Sequence, residues 1–216
     1  MADLGFLVPL MARHWGIPMR LEPGANQVAL TFDDGPHPVG TPAALEALAT
    51  ANTTATFFLV GERVRAEPAL AREIVDAGHR VALHCDRHRN ALRLTGAQLR
   101  DDIAAAHATI ADATGVSCTL QRAPLGIYTP AFVREVRSAG LTPWLWSKWG
   151  RDWRRKATAE TIAVDATADL TDGDVLLLHD GDDYSAAGSH LRTVAALPAI
   201  LNAVEARNLA AVALPI

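Results

Sequence analysis

Residues 27–36 read Gln-Val-Ala-Leu-Thr-Phe-Asp-Asp-Gly-Pro. The first six residues are apolar or β-branched and predict a buried strand over 27–32. Gly35-Pro36 is turn chemistry and ends that strand. Between strand and turn stand two adjacent carboxylates, Asp33 and Asp34. A turn alone accounts for Asp-Asp-Gly-Pro, yet it does not require two acids beside an apolar strand. Adjacent side chains diverge, so one carboxylate can bind a metal while the other faces substrate.

Outward from this stretch the same unit repeats. Short apolar runs over 56–60 (TFFLV), 80–83, 120–122, 142–146, 174–178 (DVLLL) and 209–214 read as strands. Between them, longer patterns over 41–51, 67–77, 95–114, 129–139, 159–170 and 190–207 read as helices. Thr41 is the expected cap of the first, with Pro42 at its first helical position. Thr95 and Gln98 match a capping box. Strands alternating with helices predict right-handed crossovers and a mostly parallel sheet. The expectation is an α/β fold, a distorted (β/α) barrel of about seven βα units in a single domain. Residues 1–24 are expected to pack on the barrel as an N-terminal segment, with the main domain over 25–216.

In such a fold the strand C-termini meet around one mouth. They carry Asp33-Asp34, then His84 with His88 four residues on, Arg122, Asp152-Trp153 after the strand over 142–146, and His179. The i, i+4 histidines can share one metal, although an HxxxH pattern alone is as readily a surface or core pair. Two imidazoles and a carboxylate leave positions open for water and substrate, as catalytic zinc does. The same ligands suit Co, Mn, Ni or Fe(II), so zinc is a preference. Arg122 reads either as a surface ion pair or as a guanidinium orienting a catalytic carboxylate. Trp144 and Trp146 are expected in core packing, alternating in and out. Trp153, and with it Trp149, can offer a flat face to a sugar ring.

Composition excludes several classes. The chain has 216 residues, 50% hydrophobic and 20% charged, an ordinary globular balance. A net charge of −4 gives no electrostatic case for nucleic acid. The densest cations, Arg151, Arg154, Arg155 and Lys156, read as a solvated loop or a groove rim. No stretch approaches the roughly 18 apolar residues of a membrane span. The apolar run over 5–11 is short and follows Asp3 with no basic residue, unlike a secretory signal, so a cytoplasmic location is expected. The two cysteines, Cys85 and Cys118, do not make a disulfide framework. Oligomeric state is left open.

Thr31-Phe32-Asp33-Asp34-Gly35-Pro36, His84 to His88, Arg122-Ala123-Pro124-Leu125-Gly126, Asp152-Trp153 and Leu176-Leu177-Leu178-His179 stand in the order of five motifs. In that order the chain resembles the polysaccharide deacetylase family, the NodB-homology group of carbohydrate esterase family 4. The resemblance runs from about residue 25 to 214 and includes the closing 192–198 helix segment. It implies hydrolytic, metal-assisted removal of N-acetyl groups from sugars. It implies Asp33 as general base, and Asp34, His84 and His88 as metal ligands. It implies Arg122 and Asp152 as groups tuning base and acid, and His179 as general acid. Pro124, Leu125 and Trp153 would line the substrate groove.

The sequence departs from the family at Cys85, usually Ser or Thr, and at Leu125, usually aromatic. Near Asp152-Trp153 the usual proline is missing. These changes point to an altered substrate with unchanged chemistry. Two other readings stand beside the deacetylase: hydrolysis of another amide or imide, and a sugar-binding protein without catalysis. The second predicts damage among Asp33, Arg122 and His179, and none is present.

Overall fold

The computed structural model describes residues 8–215. Of the apolar run over 5–11, residues 5–7 lie outside the described residues. From there the chain forms α1 (Val8–Trp15) and then β1 (Gln27–Asp33) and α2 (Gly40–Thr50). Next come β2 (Thr56–Val60), α3 (Gly61–Ala66), α4 (Pro68–Asp76), β3 (Arg80–Cys85) and α5 (Gly96–Thr114). β4 (Leu120–Gln121), α6 (Pro130–Ser138), β5 (Thr142–Pro143) and β6 (Lys148–Trp149) follow, then α7 (Ala159–Thr167), β7 (Val175–His179), α8 (Ser189–Glu205) and β8 (Ala210–Val212).

The strands form one parallel sheet in the order β5-β4-β3-β2-β1-β7-β6, with β8 beside the start of β1. The sheet curls into the distorted barrel the alternation predicts. β1, β2 and β7 lie at its centre and are almost wholly buried, as strands covered on both faces must be. Phe32 stacks on Phe57, with ring centroids 4.9 Å apart.

Several expectations needed correction. The strand over 142–146 stops at Pro143. Residues 144–147 then cross the barrel opening and deliver β6 to the opposite edge, against β7. Without a pleat Trp144 and Trp146 do not alternate, and both are buried. The crossing segment is fastened to the N-terminal chain, where Leu145 N–H donates to the Pro18 carbonyl. Ala12 and Ile17 are buried in the core beside it. A further short helix, α3, precedes the expected 67–77 helix. Thr41 does not cap α2, which begins one residue earlier. Its hydroxyl accepts from the His37 N–H at 2.7 Å and donates to the buried Asp180 carboxylate. The Thr95–Gln98 capping box forms as expected. Cys85 and Cys118 are buried free thiols.

Glycine is required where α2 meets the loop after β7. A Cβ on Gly40 would lie 1.9 Å from the Asp180 carbonyl oxygen. We expect Gly40→Ala to cost about 1–3 kcal/mol through overpacking. Urea unfolding reads this as a lowered midpoint. An unchanged midpoint would mean that α2 yields freely at this contact.

Candidate active site

Strand register brings the site together. The β1–β7 pairing sets Asp33 directly beside His179. β2 and β3 pair Leu59 with Leu83 but Val60 with Cys85, so a bulge leaves His84 over. A bulge re-aims a side chain, and here the Gln121 side-chain amide donates to the His84 carbonyl at 3.2 Å. His88 lies on the following loop. That loop is organised by Asp102 on α5, whose carboxylate accepts from the Asp86 and Arg87 amides and from Arg89. Asp34 adopts a left-handed backbone, φ +79°, which turns its carboxylate away from that of its neighbour.

Asp34, His84 and His88 converge, with one ligand atom of each within 4.8 Å of the others. Asp34 Oδ1 lies 3.4 Å from His84 Nε2 and 3.5 Å from His88 Nε2. That oxygen is buried and accepts no hydrogen bond, a costly state for a carboxylate. Burial opposes ionisation of Asp34, but the surrounding His84, His179 and His88 outweigh it and hold the carboxyl at about 2. Burial pushes His88 down to about 4, so its imidazole is neutral. An anionic oxygen beside the neutral His88 imidazole is the protonation state metal ligands need. The donor set therefore fits one divalent cation.

Asp33 lies beside that triad, its Oδ2 4.0 Å from His84 Nδ1. Its Oδ1 accepts from Arg122 Nη1 at 2.8 Å. Arg122 is fully buried, bonds Thr31 and the Leu145 carbonyl, and lies 4.1 Å over the Phe58 ring. His179 Nδ1 pairs with Asp152 Oδ1 at 2.8 Å. Asp152 also accepts from the His179 N–H and the Thr193 hydroxyl. Burial works against a charged His179, but Asp152, with Asp34 and Asp33 behind it, raises the imidazole to about 10.

The expected groove residues split. Leu125 is exposed, with φ +60°, while Pro124 is buried beneath it. Trp153 is half-buried, its ring edge-on to His179 at 5.6 Å between centroids. Trp149 contacts Trp153 and carries Arg151 over its face. Arg154, Arg155 and Lys156 are exposed on the same loop.

Sequence reasoning missed Thr31, Asp102, Asp180, Tyr184 and Thr193. Thr31 and Thr193 lay within stretches already singled out. It also missed a second constellation, His37, Asp182 and His190. His37 Nδ1 accepts from the Val39 and Gly40 amides, so its proton resides on Nε2, 3.3 Å from Asp182. A cation there would find that nitrogen already protonated. The trio is a brace tying the loop after β7 to α2 and α8.

The chain matches the family model described as polysaccharide deacetylase over residues 20–144. It is similar to a chitooligosaccharide deacetylase of Bradyrhizobium sp. (strain ANU 289), 35% identical over 192 residues, covering 86% of this chain and 87% of that one. Among solved structures it resembles the Bc1960 peptidoglycan N-acetylglucosamine deacetylase, with a TM-score of 0.87 and 25% identity over 94% and 93% of the two chains. It also resembles a family 4 acetyl xylan esterase from Clostridium thermocellum in complex with a cobalt ion, with a TM-score of 0.79 and 31% identity over 87% of each chain.

Arg122 and Asp33 form a buried pair, so removing one partner strands the other. We expect Arg122→Met to cost roughly 3–5 kcal/mol. Lysine would not rescue it, because the forked guanidinium serves three acceptors. Denaturant unfolding of both variants checks this, and a methionine variant as stable as the parent would contradict it.

Proposed function

Because the chain belongs to the polysaccharide deacetylase family, we infer that it hydrolyses the N-acetyl group of an amino sugar at the mouth formed by β1, β3 and β7. The reading rests chiefly on one observation: a base-like carboxylate, Asp33, and a protonated imidazole, His179, flank a triad suited to a cation. The relatives named for chitooligosaccharide and peptidoglycan deacetylation support an acetamido sugar as the substrate class.

A divalent cation held by Asp34, His84 and His88 would supply the charge that polarises the acetamido carbonyl and acidifies water. Zinc is preferred, and cobalt, manganese, nickel or Fe(II) suit the same ligands. Asp33 takes the proton of the attacking water. Arg122 holds Asp33 in place through its hydrogen bond to Oδ1. A backbone N–H near Leu125 donates to the developing oxyanion. His179 gives its proton to the leaving nitrogen, because an amine anion cannot leave. Asp152 keeps that imidazole charged and oriented until then. Leu125 and Trp153 wall the sugar, with the indole offering a flat apolar face.

Acetate release from N-acetylglucosamine oligomers, measured after chelation and metal return, tests the reading. Asp33→Asn should bind metal normally and lose about 10²–10⁴-fold in kcat. His84→Ala should lose both metal and turnover. A full-rate Asp33→Asn removes the assigned base, and undiminished activity in the chelated protein removes the metal.

The rate should fall as pH rises through the His179 value, since the imidazole must be protonated to act. Asp152 raises that value, so Asp152→Asn should move the alkaline fall to lower pH. A fall that stays in place would separate Asp152 from the acid.

A further inference from the structure

A metal-bound histidine ordinarily donates its second ring N–H to a carboxylate or carbonyl, which fixes the plane of the ring. His84 Nδ1 has a carboxylate nearby, Asp33 Oδ2 at 4.0 Å, without a hydrogen bond to it. Among the described residues, no hydrogen bond reaches the ring of His88. What lies against it is Tyr184. The two rings stack with centroids 4.3 Å apart and an interplanar angle of 12°.

Tyr184 is itself held from both sides of the site. Its hydroxyl donates to Glu62 Oε1 at 2.7 Å. Glu62 lies in the first turn of α3, and its N–H donates to the Asp86 carbonyl, inside the segment that joins His84 to His88. One residue before Tyr184, Asp183 pairs with Arg63 at 3.0 Å. Two before, Asp182 accepts from the Gly188 N–H at 2.7 Å and faces His37 and His190. The loop after β7 is thus a strap tied down along its length, with the phenol ring delivered onto one imidazole face.

We propose that Tyr184, anchored by Glu62, is a positioning residue that sets the plane of the His88 imidazole and so preorganises it for a cation. The stacked face does here what a hydrogen bond to the second ring nitrogen ordinarily does. This rests on the reading of Asp34, His84 and His88 as the metal triad.

The test uses the full chain, stripped by chelation and titrated with Co²⁺ while its visible absorption is followed, with Zn²⁺ affinity measured by competition. Losing an outer partner of a metal histidine typically costs on the order of ten-fold in affinity. Tyr184→Ala should weaken both metals by that factor and alter the cobalt spectrum. Tyr184→Phe keeps the stacked ring and should stay within about three-fold. Glu62→Ala removes the same tether that Tyr184→Phe removes, so the two should match, between the parent and the alanine variant. At saturating metal the alanine variant should recover most of its turnover.

Parent-like affinity and spectrum in a folded Tyr184→Ala overturn the proposal. If that variant does not fold, parent-like affinity in Glu62→Ala does so instead. A parent chain that takes up no divalent cation overturns the triad itself, and this inference with it.

Discussion

Charge compensation in a nearly dry mouth is the constraint on which the rest of this structure depends. Asp33, Asp34, Asp152 and Asp180 are all almost wholly buried. Isolated buried carboxylates are prohibitively costly, so each must be paired or neutralised. Arg122 serves Asp33, and the protonated His179 serves Asp152. Asp180, pushed up to about 7 by burial and by Asp34, is partly relieved by carrying a proton. Asp34 and Asp180 each keep a buried oxygen with no hydrogen-bond donor, and that of Asp34 faces two imidazoles. The unpaired carboxylate oxygen and the candidate cation ligands coincide at one place.

The parallel sheet makes this arrangement reachable. All strand C-termini point to one end, so residues far apart in sequence arrive together by register. Asp33 and His179 become neighbours because β1 and β7 pair one-to-one to their last residues. His84 reaches the mouth through a bulge and not through regular pleating. Tight contacts then hold the loops in place. Gly35 lies under the Asp180 carboxylate, where a Cβ would come within 2.5 Å of its Oδ2. Packing there leaves little freedom for Asp34 to drift from the histidines.

The loop after β7 gathers more of the site than its composition suggests. It begins with Asp180 beneath Asp34, continues through the Asp182 brace and ends against α8. α8 returns Thr193 to Asp152. The acid side of the site and the triad's outer wall are therefore parts of one connected network, which explains why a polar segment without regular structure can be held so firmly.

The order of ionisable residues at strand ends was legible in the sequence, because period and turn chemistry are local and mark where each buried run stops. Asp33, Asp34, His84, His88, Arg122, Asp152 and His179 could be named from it, as could the alternation that yields a parallel barrel. Long-range packing decided the rest. The segment over 142–149 looks like one strand, but the barrel opening divides it, and no local pattern records where a curled sheet fails to close. Thr41 looks like a helix cap, but the nearness of Asp180 gives its hydroxyl a better partner. Tyr184 lies in a polar loop with no periodicity to mark it, and its place on His88 exists only because contacts on both sides of the mouth meet there.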